Sequence, residues 1–177
     1  SYRNTQKRGL YGDVIHEIDA SVGEILRTLK NYELEENTII IFTSDNGPWL
    51  SYGSHSGSSG IYKEGKGTNW EGGHRVPAII SFPKRIASGT LIEVPAMGID
   101  WLPTITDFVG SKLPERKIDG VSLVPLLTKK SIEAPHENFF FYYRTNELHA
   151  VRHKKWKLYL PHSYRSLNGR KGTDDGY

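Results

Sequence analysis

The chain has 177 residues, enough for one ordinary domain or for one domain plus part of another, and carries a small net charge of +3. It has no cysteine, which excludes a disulfide framework and a thiolate metal site, and no apolar run approaches the roughly 20 residues of a membrane span. Ser1-Tyr2-Arg3-Asn4 lacks the apolar core of a signal peptide, which leaves location open.

Tyr11, Val14, Ile15, Ile18, Val22, Ile25, Leu26 and Leu29 recur at three- and four-residue steps, the apolar stripe of an amphipathic helix expected to pack on a core. Asp13 and Glu17 stand four apart on that helix as a like-charge pair and, with Asp19 and Glu24, read as surface or packing groups. Thr38 to Thr43 is short, β-branched and does not alternate, so it predicts a strand buried on both faces, as in a parallel sheet. A helix followed by a buried strand is half of an α/β unit. Between Ser44 and Arg75 periodicity vanishes and glycines punctuate a long loop, a length that marks function or disorder. Ala78 to Phe82 resumes a short strand that Pro83 ends. Met97 to Val109 predicts a second helix, with Asp100 as a cap and Gly110 as its stop. Val121 to Leu127 adds a short helical turn.

After Pro135 the character changes. Phe139–Tyr143, His149–Arg152 and Trp156–Leu160 predict three short strands joined by tight turns, the last alternating as a strand buried on one side. A boundary near residues 128–137 divides the α/β part, 1–130, from the beginning of a β subdomain, 131–177. Arg152, Lys154, Lys155, Lys157, Arg165, Arg170 and Lys171 crowd this end, and a solvated strand surface explains them better than a bound polyanion. No recognisable module organises them for nucleic acid. From His162 onward the chain is polar with almost nothing to bury. His149, His153 and His162 share no spacing with carboxylates that would make a zinc site.

Two segments carry chemistry. Ser44-Asp45-Asn46-Gly47-Pro48 directly follows the first strand, and ligands of open α/β sheets gather beyond strand carboxyl ends. Asp45 and Asn46 offer the hard oxygens that Ca²⁺ prefers. An Asx turn that merely closes the strand accounts for the same residues. Gly65-Lys66-Gly67-Thr68 sets a lysine on backbone that can approach a ligand, with an ammonium suited to phosphate or sulfate oxygens. An ordinary exposed lysine is the alternative, and the spacing is not that of a Walker loop.

Taken together, Ser44–Pro48, Gly65–Thr68, Glu71-Gly72-Gly73 and Arg75-Val76-Pro77 resemble the formylglycine-dependent sulfatases of the arylsulfatase type. The resemblance extends from Tyr11-Gly12 through Asp100–Ile105 and Asp119–Leu123, covering roughly residues 8 to 160. It implies the C-terminal part of an alkaline-phosphatase-like, mostly parallel α/β fold followed by a small antiparallel β subdomain. It also implies Asp45 and Asn46 as calcium ligands and Lys66 as the cation on the sulfate oxygens. The substrate would be a sulfated sugar or aryl sulfate, and the location periplasmic, secreted or lysosomal. His55, in the loop between these residues, is a candidate for contacting substrate or protonating a leaving oxygen. His74 stands where the family has a small apolar residue. Trp70 and Glu71 read as braces of the loop, and Arg75 as a structural ion pair.

The resemblance also shows what these 177 residues omit. The family nucleophile, a formylglycine made from the first residue of a C/S-x-P-S-R motif, has one lookalike here, Ser81-Phe82-Pro83-Lys84-Arg85. It lies after the Gly-Gly-His-Arg segment, where the family has only a strand end, so Ser81 is read as a strand terminus. The paired aspartates and the upstream catalytic His and Lys are missing too, and two oxygens do not fill a calcium shell of six to eight. The expectation is a fragment that is inactive alone and depends on the N-terminal half of the same enzyme. The alternatives are a phosphodiesterase or phosphonate hydrolase of the same superfamily, and a non-catalytic module binding an anion or glycan.

Overall fold

A computed structural model describes residues 9–143 and 145–163. Residues 164–177, with Arg165, Arg170 and Lys171 of the basic stretch, lie outside them. The long periodic segment forms helix α1, Gly9–Asn31. Its outcome corrects the expectation of a core-facing stripe. Leu10, Val14, Ile15, Ile18, Ile25 and Leu26 are 41–57% exposed, whereas Asp13, read as a surface or packing charge, is buried. Within the described residues α1 meets mainly a 3-10 segment, Leu50–His55, and too little lies across its apolar stripe to cover it.

Strand β1, Ile40–Thr43, pairs with β2, Ala78–Ser81, in an antiparallel ladder that sets Phe42 opposite Ile79 and Ile41 opposite Ile80. The α/β class stands, but these two strands are not parallel neighbours, and neither is enclosed on both faces. Because side chains alternate, Ile39 and Ile80 turn to the core while Phe42 and Ile79 face outward, 40% and 63% exposed. Ser81 closes β2 opposite Ile40, the strand terminus expected of it.

The core lies behind this pair. Phe82, Ile86, Phe108, Leu123, Val124 and Leu127 form one buried cluster, with the Phe82 and Phe108 rings edge to face at 5.2 Å. Phe108 comes from α3, Trp101–Val109, entered through a 3-10 turn at Gly98–Asp100 and stopped by Gly110 in a left-handed conformation, φ 68°. Leu127 comes from a single turn, which we number α4, Val124–Leu127. Asp100 does more than cap. Fully buried, its carboxylate accepts the Met97 N–H at 2.8 Å, the Val121 N–H at 3.0 Å and His136 Nε2 at 2.7 Å. One turn on, the Thr104 hydroxyl donates to the Asp100 carbonyl and accepts the Leu123 N–H. The Asp100–Ile105 and Asp119–Leu123 segments are thus two halves of one joint.

The remaining strands, β3 (Asn138–Tyr143), β4 (Glu147–His153) and β5 (Trp156–Tyr159), form an antiparallel meander, as their turn spacing predicts. Its facing is reversed from the apolar-inward expectation. Trp156 and Leu158 are 71% and 64% exposed, while Lys157 and Tyr159 turn inward.

Candidate functional site

The turn after β1 begins with the Thr43 hydroxyl donating to the Pro77 carbonyl, which ties it to the entrance of β2. The Ser44 hydroxyl then donates to the Asn46 carbonyl at 3.0 Å and curls the chain back. Asp45 is left exposed and Asn46 half-buried at the strand tip. Gly47 follows, buried, donating its N–H to the Gly73 carbonyl at 3.0 Å. The Pro48 carbonyl accepts two N–H groups, from Leu50 and, at 2.9 Å, from Lys66. The lysine backbone is therefore bonded directly to the segment that carries Asp45 and Asn46.

The lysine loop is closed by its own hydrogen bonds, the Thr68 hydroxyl and N–H both donating to the Gly65 carbonyl. It lies against a one-turn helix, α2, Glu71–His74. Here the glycines are required by close backbone approach. A Cβ on Gly72 would overlap the Glu64 carbonyl, and one on Gly73 would overlap the Thr68 carbonyl and sit 2.7 Å from that of Gly65. The turn after β1, α2 and the lysine loop are stacked with backbone against backbone at Gly47, Gly72 and Gly73.

Above this stack the Lys66 side chain is exposed, its Nζ 5.3 Å from the centroid of the Trp49 ring. Trp49 is itself 45% exposed and braced edge-on by Tyr52 at 4.4 Å. The structure thus brings the Asp45–Asn46 turn and Lys66 together. His55 is placed differently. It ends the Leu50–His55 segment and lines an open cavity of about 520 Å³ with Leu10, Tyr11 and Gly57, which Asp45, Asn46 and Lys66 do not line.

Glu71 is the charge hub beneath the site. One carboxylate oxygen accepts Arg75 Nε at 2.8 Å and Arg152 Nη1 at 2.6 Å, and the other accepts Lys157 Nζ at 3.0 Å. Burial opposes its ionisation, but the hydrogen bond and charge of Lys157, with Arg152 and Arg75, outweigh this and hold its pKa below the ordinary value. Burial pulls Lys157 below the ordinary lysine range, aided by the neighbouring arginines and opposed by Glu71. Lys157 also donates to the Asn69 carbonyl at 2.6 Å, which the Tyr159 hydroxyl shares, and its Nζ stands 3.6 Å from the centroid of the Phe141 ring. His74 hydrogen-bonds Asn69 and meets Phe141 edge-on at 4.9 Å. Although the residue keeps contact with solvent, desolvation and then the Lys157 charge push its pKa down.

Reading Glu71 and Arg75 as braces therefore matches the geometry. Placing Arg152 and Lys157 on a solvated surface is corrected, since their side chains are only 18% and 10% exposed. The available signal was the alternation of β5, whose polar members had to face something.

Among the described residues no three His, Asp or Glu groups converge to hold a metal. The oxygen donors Asp45 and Asn46 fit a hard cation such as Ca²⁺ in kind and fall short in number, so they fit as part of a shell.

Known proteins resemble this chain in sequence and in fold. The sulfatase family model matches residues 1–111, and the model for the C-terminal part of N-sulphoglucosamine sulphohydrolase matches residues 60–164. The human steryl-sulfatase is 45% identical over 157 residues, covering 85% of this chain and 27% of its own length. A Bacteroides thetaiotaomicron protein from glycosaminoglycan metabolism superposes with a TM-score of 0.79 at 27% identity, over 99% of this chain and 38% of that one. The PsFucS1 sulfatase of Pseudoalteromonas sp. gives 0.76 at 31% identity, over 83% of this chain and 30% of that one. The chain spans less than a third of the length of the human steryl-sulfatase and arylsulfatase A that it matches.

Proposed function

The chain belongs to the sulfatase family, and from that premise we propose that it forms part of a sulfuric-ester hydrolase acting on a sulfated sugar or aryl sulfate. In this reading Asp45 and Asn46 contribute to a calcium shell, and Lys66 holds the nonbridging oxygens of the sulfate. The supporting observation is the bond from the Lys66 N–H to the Pro48 carbonyl, within a stack of backbone that ties the lysine loop to the segment bearing Asp45 and Asn46.

The chemistry follows from charge. Cleaving a sulfate ester builds negative charge on the sulfuryl oxygens and the leaving oxygen, and cations fixed in advance lower that barrier. Lys66 supplies a compact charge with three N–H donors and stands over the Trp49 ring. A bound calcium ion would add Lewis-acid polarisation of the same oxygens. Asp45 would orient the nucleophile as well as ligate, while His55, which lines a different cavity, is given no role at the sulfate oxygens. The nucleophile and remaining ligands are assigned to sequence outside these 177 residues, and the exposed apolar stripe of α1 is consistent with cover from there. Among the described residues no helix is long and apolar enough to cross a membrane.

The test is made in the intact enzyme containing this segment. Lys66→Ala is expected to lower kcat/KM for 4-nitrophenyl sulfate by about a hundredfold or more and to abolish inhibition by inorganic sulfate. Metal analysis should find calcium, depleted by Asp45→Ala. Lys66→Ala with unchanged kinetics would refute the assignment, and stoichiometric zinc or manganese without calcium would instead favour phosphodiester or phosphonate chemistry.

A further inference from the structure

We propose that the C-terminal sheet is a positioning element for the anion site, acting through Lys157 and Arg152 on Glu71; the inference rests on the role given above to Lys66. The route is continuous. Lys157 and Arg152 hold the Glu71 carboxylate, and Lys157 and Tyr159 both hold the Asn69 carbonyl. The Trp70 ring lies 4.4 Å from that of Tyr159, so the whole 69–71 segment is seated on β5.

Glu71 is the first residue of α2, and α2 has nowhere else to go. The Gly72 N–H donates to the Lys63 carbonyl at 2.9 Å, the Gly73 carbonyl accepts the Gly47 N–H, and both glycines press on the backbone of Glu64–Thr68. Displacing Glu71 therefore displaces the turn bearing Asp45 and Asn46, the loop bearing Lys66, or both. Close packing transmits such a shift rather than absorbing it. The carboxylate also needs its cations. A part-buried glutamate stripped of them would turn toward water and draw the first turn of α2 with it. None of the three strands supplies a group of the anion site itself. Their contribution is where Lys66 stands.

The experiment uses the intact enzyme, with Lys157→Met to remove the charge while keeping an apolar stem over Phe141, Arg152→Met as an independent variant, and Lys157→Arg as the rescue. The expected result is a fall in kcat/KM for 4-nitrophenyl sulfate of about ten- to a hundredfold per folded molecule. Ki for inorganic sulfate should rise in parallel, and Lys157→Arg should recover most of both. A purely structural role would lower the melting temperature while leaving kinetics per folded molecule, measured well below the transition, as in the parent. That outcome in both Met variants overturns the proposal. Lys66→Ala run alongside keeps the two claims apart. If it leaves sulfate inhibition intact, the anion site is misassigned. If it abolishes inhibition while both Met variants retain parental kinetics, only the positioning role fails.

Discussion

Replacing Gly47 with alanine tests the stacked backbone most directly. A Cβ at this position would overlap the Gly72 carbonyl oxygen, with the carbonyl carbon at 2.8 Å and Gly73 Cα at 3.1 Å. Carbon atoms in contact stand about 3.5–4.0 Å apart and the carbonyl oxygen is met closer still, so the turn after β1 and α2 must separate by more than about 1 Å. No side chain can rotate away, because every atom met is backbone. The separation breaks the 3.0 Å bond from the Gly47 N–H to the Gly73 carbonyl. Overpacking of about 1–3 kcal/mol and a lost hydrogen bond of about 1 kcal/mol together predict a destabilisation of about 2–4 kcal/mol. The shift moves the turn that bears Asp45 relative to α2 and the lysine loop packed on it, and misplacement of about 1 Å can lower turnover by about a hundredfold. Denaturant unfolding of the intact enzyme reads the first effect, and kcat/KM with calcium content reads the second. A Gly47→Ala enzyme with the parental unfolding midpoint and turnover would refute the stack as described.

Two further outcomes follow from groups outside the site. Asp100→Ala would remove the acceptor of two part-buried N–H groups and of His136 and leave a gap at a fully buried position, a loss of about 2 kcal/mol visible as a lower denaturant midpoint. For acid sensitivity, His74 has a folded-state pKa below its unfolded value. Its contribution is therefore present above about pH 6.5 and is lost as pH falls through the lower folded value. Glu71, whose pKa is also lowered, stays ionised over that window, and its contribution is lost only below the ordinary carboxylate range. His74→Gln should accordingly flatten the dependence of melting temperature on pH as it falls below about 6.5. An unchanged slope would reject this assignment.

Some of the fold was legible because it depends on near neighbours. The period of α1, the stop at Gly110 and the three hairpin-linked strands follow from spacing and turn chemistry within a few residues. For the candidate site, the residues of the Asp45–Asn46 turn and of Lys66 by themselves read equally as an Asx turn and an exposed lysine, and the family resemblance singled them out, while the glycines mark where backbone meets backbone. Which way an element faces was another matter. The alternation Trp156-Lys157-Leu158-Tyr159 sets the period of β5, yet the polar members turn inward, because Glu71 and the Asn69 carbonyl wait there from 86 and 88 residues earlier. Likewise the stripe of α1 announces an apolar face without saying what covers it, and the ladder of β1 with β2 runs antiparallel although the β1 residues read as a doubly buried strand. Period is a property of the local backbone. Orientation depends on charges and carbonyls brought close only when the distant parts of the chain have packed.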